Sequence, residues 1–278
     1  MRFSLLPLLL LALAPLAARE PGAVWRAPLT PERIAALADP HGAAAPTLAR
    51  ALAAAAEVLP LQAAAVSPVP LFPLAVAPAP KAGLGQALAQ HADFAGAQAD
   101  DYETFAAAAR RLLAGGPLPR HPADATARRW QDLGATLVRE VAAARAALPA
   151  GSVAPAGFDA LATDLQVLAA LCRYHSRRSL AAIHYSLFKR GLRLAELLAA
   201  TYTEREVVAA WRDLVHVAGD RYPPDVAAHW RAVLKSLEVN LRELEEQCCP
   251  PDEAIAKEKV WAPGYGLQPA AGDAPAKN

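Results

Sequence analysis

Cysteine is scarce: three residues in 278, an odd number and too few for a disulfide-framework fold. Charge of one sign is lacking as well. The 28 Lys and Arg face 27 Asp and Glu, so the chain has none of the basic surplus with which nucleic-acid-binding domains meet phosphate. No strand-length alternation of apolar and polar residues occurs, and no repeat of fixed period. Motifs that carry chemistry by themselves are missing: no His-Glu-x-x-His, no glycine-rich phosphate loop, no Gly-x-Ser-x-Gly elbow. His175, His184, His216, Asp220 and His229 are the available metal-ligand types, and their spacing matches no close ligand set. The expectation is no metal, no cofactor and no nucleic-acid partner.

What is present begins with a leader. MRFSLLPLLLLALAPLAA has one basic residue, an apolar core from Leu5 to Leu13 and small residues at Ala17 and Ala18, the pattern of a secretory signal peptide over residues 1–18. It is too short and wrongly flanked for a stable membrane span, so a secreted or periplasmic product with no remaining span is expected. Residues 19–122 form an alanine- and proline-rich region of helices and linkers. Thr30-Pro31 has the form of a helix start, and Asp39-Pro40-His41-Gly42 of a stop. Further helices are expected over 46–58, 84–98 and 101–113. Between them Pro60, Pro68, Pro70, Pro73, Pro78 and Pro80 exclude a regular interior helix and predict an extended strap or linker.

From residue 123 to 247 the sequence is denser in leucine, valine and tryptophan and predicts a helical core. Ala123 to Leu148 carries Trp130, Leu133, Leu137, Val141 and Ala144 on one face. The long segment from Phe158 to Lys189 places Leu161, Leu165, Leu168, Cys172, His175, Ser179, Ala182 and Ser186 at alternating steps of four and three. A second strip, with Leu171, Tyr174 and Ala181, gives that helix two packed sides and a length of roughly 45 to 50 Å. Arg190-Gly191 ends it. Two more helices follow, separated by Asp220-Arg221-Tyr222-Pro223-Pro224, and short breaks between helices imply antiparallel neighbours. The fold class read here is all-α: an antiparallel helical bundle or paired-helix array with a proline-rich amino-terminal strap. Residues 248–278 form an irregular arm.

Candidate chemistry concentrates in Arg173, Tyr174, His175, Arg177, Arg178, His184 and Tyr185. Tyrosine, histidine and arginine together can remove a proton beside a carboxylate and neutralise the resulting charge, as a uronate lyase requires. Nine positions separate His175 from His184, however, which turns them to nearly opposite sides of one helix. Counting back from the Gly191 turn brings Glu204 beside Ser179 and Arg178. A buried polar layer, with Glu204 paired to Arg178 or bonded to Ser179, explains these residues better than catalysis. The catalytic candidates are thus His175, Tyr174, Arg178 and Glu204, with a structural role for Glu204 preferred. Cys172, Trp211 and Trp230 lie on apolar stripes and are expected in the core. Tyr222 and Trp261, off those stripes, are the candidate stacking faces for a glycan. Cys248 and Cys249 leave three states open: a vicinal disulfide, free thiols, or a link between chains.

The runs CRYHSRRSLAAIHYSLFKRG, EREVVAAWRDLVHVAGDRY and HWRAVLKSLEVNLRELEE resemble an accessory helical region of large secreted bacterial proteins with carbohydrate-active domains. The resemblance covers about residues 160–247 and maps no catalytic motif onto this chain. It implies an accessory role in polysaccharide processing. The expected function is therefore an exported, non-catalytic helical scaffold or interaction module whose partner is another exported protein or a polysaccharide. A polysaccharide lyase or hydrolase, and a glycan-binding module, are the alternatives.

Overall fold

A computed structural model describes residues 29–65, 84–94, 98, 100–149, 154–155 and 157–248. The leader, most of the proline-rich stretch, Cys249 and the arm carrying Trp261 lie outside the described residues. The fold is all-α.

Helix α1 (Pro31–Ala38) starts where the Thr30 hydroxyl accepts from the Arg33 amide at 3.3 Å, with Pro31 in a position that needs no intrahelical N–H. A 3-10 turn, Asp39–Ala44, bends at Gly42, whose φ of +54° suits glycine, into α2 (Ala45–Ala65). Pro60, expected to begin an extended strap, lies inside α2. An interior proline costs an isolated helix about 3 kcal/mol. Leu48, Leu52 and Val58 are fully buried and hold the helix against its neighbours, which outweighs that cost. By length and composition alone Pro31–Ala65 could cross a membrane; in this fold it is bent at Gly42 and buries those same side chains.

Next come α3 (Leu88–Ala92), α4 (Phe105–Ala114), α5 (Ala123–Ala146), α6 (Phe158–Gly191), α7 (Leu194–Ala218) and α8 (Pro224–Cys248). The helix expected over 84–98 is cut to α3. Thr104, rather than an aspartate three or four residues earlier, caps α4 by accepting from the Ala107 amide at 3.2 Å.

Ion pairs give the relative directions. Between α2 and α5 they join Arg50 to Glu140 and Glu57 to Arg129; between α6 and α7, Arg173 to Asp213, Arg177 to Glu206 and His184 to Glu196; between α7 and α8, Arg205 to Glu245 and Arg212 to Glu238. In each set one number rises as the other falls, so each pair of helices is antiparallel. Exposed pairs of this kind contribute little energy each. The stability comes from two apolar clusters: one joins Leu48 and Leu52 of α2 to Trp130 and Leu137 of α5, Leu165 and Leu168 of α6, Trp211 of α7 and Trp230 and Leu237 of α8, and the other joins Leu88 of α3 and Phe105 of α4 to Ile183 and Leu187 of α6, Leu197 of α7 and Leu244 of α8. Helix α6 is the spine, packed by α5 on one side and α7 on another, with α2, α3 and α4 against it as well. Its burial is nearly continuous from Leu161 to Leu187, so the two-sided packing predicted from its stripes becomes packing on almost every side.

Two backbone positions set close approaches or turns. A Cβ on Gly134 of α5 would lie 3.1 Å from Cys172 Cβ and 3.2 Å from the Ala169 carbonyl oxygen, so α5 and α6 touch closely here. Gly134→Val should lower stability by about 1–3 kcal/mol, read from the urea midpoint, through overpacking. An unchanged or raised midpoint would count against this close contact. At the end of α6 the sequence places the stop at Gly191, but Gly191 remains helical and Leu192 takes the left-handed conformation, φ 50°, with its amide donating to Phe188 O at 2.7 Å. The Leu192 side chain is 77 % exposed and gains nothing there. Leu192→Gly should therefore stabilise the protein by about 0.5–1 kcal/mol; a lower melting temperature would contradict this.

Candidate functional site

Four residues that the sequence marks for chemistry converge at the middle of the α6–α7 hairpin. Tyr174 and His175 come from one turn of α6 and Arg178 from the next, and Glu204 faces them from α7. Arg178 donates through Nη1 to Glu204 Oε1, and both side chains are 1 % exposed. Of the two partners that counting back from Gly191 leaves open, Arg178 and Ser179, it is Arg178 that pairs with Glu204. The same arginine donates through Nη2 to the Gln86 carbonyl, and Tyr174 donates its hydroxyl to the Leu84 carbonyl. From the far side Asn240 of α8 donates to the Gly85 carbonyl at 2.9 Å. Three consecutive carbonyls, Leu84 to Gln86, are thus held by side chains from two helices. Bonded this way, the segment leaves the helical path, and α3 begins only at Leu88. A Cβ on Gly85 would meet Ser236 Cβ at 3.0 Å, so a larger residue here would have to push Ser236 of α8 aside.

The rings around the layer are packed without solvent. His175 stacks on Trp130 at 4.8 Å and 28°, and Tyr174 meets Trp211 edge-on at 4.9 Å. Burial, with the Arg178 charge as the second cause, drops His175 to about 3. His91 of α3 is likewise held well below the ordinary histidine value by burial, then by Arg178 and His175. Burial pushes the Tyr174 phenol up to about 12. It also raises the Glu204 carboxyl, although Arg178 pulls the other way. Among the described residues Glu204 Oε2, Arg178 Nε and His175 Nε2 are buried with no hydrogen-bond partner. The arrangement can hold a charge pair and a neutral imidazole in a dry interior. It offers no open face to a substrate.

His184 points away from this layer, as nine positions require, and its Nδ1 lies 2.8 Å from Glu196 Oε2. Cys172 is fully buried and unbridged, its thiol pushed up by burial. Trp211 and Trp230 are core residues joined by a bond from the Trp211 indole N–H to the Trp230 carbonyl at 2.9 Å. Tyr222, expected as an open stacking face, is only 4 % exposed. Its hydroxyl donates to Asp164 Oδ1 at 2.7 Å and its ring stands edge-on to Trp230 at 4.9 Å. The loop after α7 folds inward over Asp164, which position along the sequence does not reveal. Trp261 lies outside the described residues. Among the described residues no group of three or more His, Cys, Asp or Glu is arranged to hold a metal ion.

Sequence reading missed His91, Asn240 and the 84–86 carbonyls. Only Gly85 carried a signal, a glycine amid helix formers. Comparison of the chain with protein-family models, curated proteins and solved structures finds no match.

Proposed function

We propose that the protein is an exported, non-catalytic helical interaction module that acts alongside polysaccharide processing. The observation that carries the non-catalytic part is the closure of the polar layer. Tyr174, His175, Arg178 and Glu204 are all buried, and the Leu84–Gln86 segment lies bonded across Tyr174 and Arg178. A general base must come within hydrogen-bond reach of the proton it removes, and His175 is enclosed by Trp130 and Tyr174 instead. The lyase or hydrolase alternative would require that segment to leave and two aromatic contacts to open. Export is supported by the apolar leader with its small residues at Ala17 and Ala18. The link to polysaccharides is supported by the resemblance of residues 160–247 to accessory helices of carbohydrate-active proteins.

The test is turnover by the purified chain across neutral and acidic polysaccharides, with His175→Phe as the control because it keeps a ring against Trp130. No product from either protein is the expected result. Turnover by the natural chain that disappears in a folded His175→Phe protein would overturn the non-catalytic reading.

A further inference from the structure

Residues 84–92 belong to none of the long helices, and what ties them to the bundle is local. Helix α3 is five residues long, too short to hold its shape alone. Side chains hold three carbonyls of its lead-in: Tyr174 that of Leu84, Asn240 that of Gly85 and Arg178 that of Gln86. Leu84, Leu88 and Ala92 are buried. Just past the helix Asp93 pairs with Lys189 at 2.8 Å, and both are exposed. The apolar clusters join α5, α6, α7 and α8 to one another through many more side chains, so those helices keep their packing when the short segment lifts. Openings of this local kind cost less than global unfolding.

His91 faces the polar layer from this segment. It is buried, and its ring lies 5.3 Å from that of Phe105 in α4. From α6 it feels the Arg178 charge and His175. Glu204 of α7, the carboxylate of the layer, is committed to Arg178. From the turn before α4, Glu103 lines the same cavity of about 20 Å³ as His91, with Tyr102, Thr104 and Ser179. That carboxylate is also committed, accepting from Arg111 Nε and Nη2 at 2.9 Å each and from the Ala123 amide at 3.0 Å. Helix α5 adds only the uncharged Ala123 and Thr126 to the cavity wall, and α2 adds Ala65. Each carboxylate around His91, Asp93 included, thus has a cation of its own. A proton on His91 or His175 would set a further positive charge beside Arg178 with one buried carboxylate for all of them. Lifting the segment relieves this, because it carries His91 into water and lets water reach Arg178.

We propose that residues 84–92 are an acid-released latch, closed over the α6–α7 polar layer at neutral pH and opened in acid without unfolding of the long helices. The sign follows from His91, which burial holds well below the ordinary histidine value while the latch is shut. Closure is therefore fully stable above about pH 6.5 and weakens as pH falls. The latch is independent of the non-catalytic reading, since the acid that opens it also protonates His175 and leaves no base there.

The experiment is hydrogen exchange of the full chain at pH 7 and pH 5, read by mass spectrometry and corrected for the intrinsic effect of pH on exchange. Peptides covering residues 84–94 should lose protection at pH 5 and regain it on return to pH 7, while peptides from the middle of α6 and α7 remain protected. His91→Phe, which keeps a ring beside Phe105, should abolish the selective loss. Asn240→Ala removes one tie from α8 and leaves both histidines in place, so it should move the loss to higher pH. Equal protection at the two pH values, exchange in all helices together, or a loss unchanged in a folded His91→Phe protein would overturn the proposal. So would an Asn240→Ala protein that opens at the same pH as the natural chain, a result that decides the matter even where His91→Phe does not fold.

Discussion

Glu204→Ala should destabilise the protein by about 3–5 kcal/mol, the cost of breaking a buried ion pair by removing one partner. The reason is the environment, since both members of the Arg178–Glu204 pair are 1 % exposed. Removing the carboxylate strands a guanidinium that cannot shed its proton and that water does not reach. Arg178→Met should cost a similar amount for a different combination of reasons: it leaves Glu204 unpaired and also removes the donor that Arg178 gives to the Gln86 carbonyl. The double variant Arg178→Met with Glu204→Leu should recover much of the loss, because an apolar pair of similar volume removes both desolvation costs. Urea unfolding of the two single variants and the double variant measures this as a cycle. If the two single effects simply add, the charges are not coupled and the account of the layer is wrong.

Acid should weaken the protein well before its carboxylates are titrated. His175 has a folded value of about 3, and His91 is held well below the ordinary value; both sit near 6.5 in an unfolded chain. A histidine whose folded value is depressed contributes stability that is complete above the unfolded value and is lost as pH falls towards the folded one. The window is therefore below pH 6.5 and extends to about 3 for His175. At pH 5 His175 should cost on the order of 2 kcal/mol, and His91 adds to the loss in the same direction. Glu204 works in the opposite direction. Its raised folded value lets the native state take up a proton first, which offsets part of the loss as pH falls through that value. The net expectation is a melting temperature roughly 5–10 °C lower at pH 5 than at pH 7. His175→Phe should shrink that difference without abolishing it, since His91 keeps its share. A pH response identical in the variant would show that His175 is not the group responsible.

Much of this arrangement is legible from periodicity. Leucines and tryptophans at steps of three and four mark the apolar faces of α5 to α8, and short breaks make neighbours antiparallel. Counting brings Glu204 to the height of Arg178 and Ser179, because residues equidistant from a tight turn sit at the same height on antiparallel helices, but it does not choose between them. Tyr222 shows where such reasoning stops. A tyrosine in a Pro-Pro turn looks exposed, and only the three-dimensional course of the loop brings it to Asp164. Pro60 shows a different limit: its local cost is real, but burial of Leu48, Leu52 and Val58 decides the outcome. Tyr102 and His121, which stack on each other, meet through a loop pairing that no helical or strand period encodes.

The bonds to residues 84–86 also bear on how the molecule assembles. Helices α6 and α7 are joined by two residues, Leu192 and Arg193, so the contacts between them form at little loop-closure cost. The bond from Asn240 to Gly85 spans 155 positions, and those from Tyr174 to Leu84 and Arg178 to Gln86 span 90 and 92. Contacts so distant along the chain form slowly. The hairpins should therefore zip first, with Arg178 and Glu204 still hydrated between them. Insertion of the Leu84–Gln86 segment is then the late step that dries the layer, so a folding trace should end in a slower phase that lengthens when Gly85 is replaced by a larger residue.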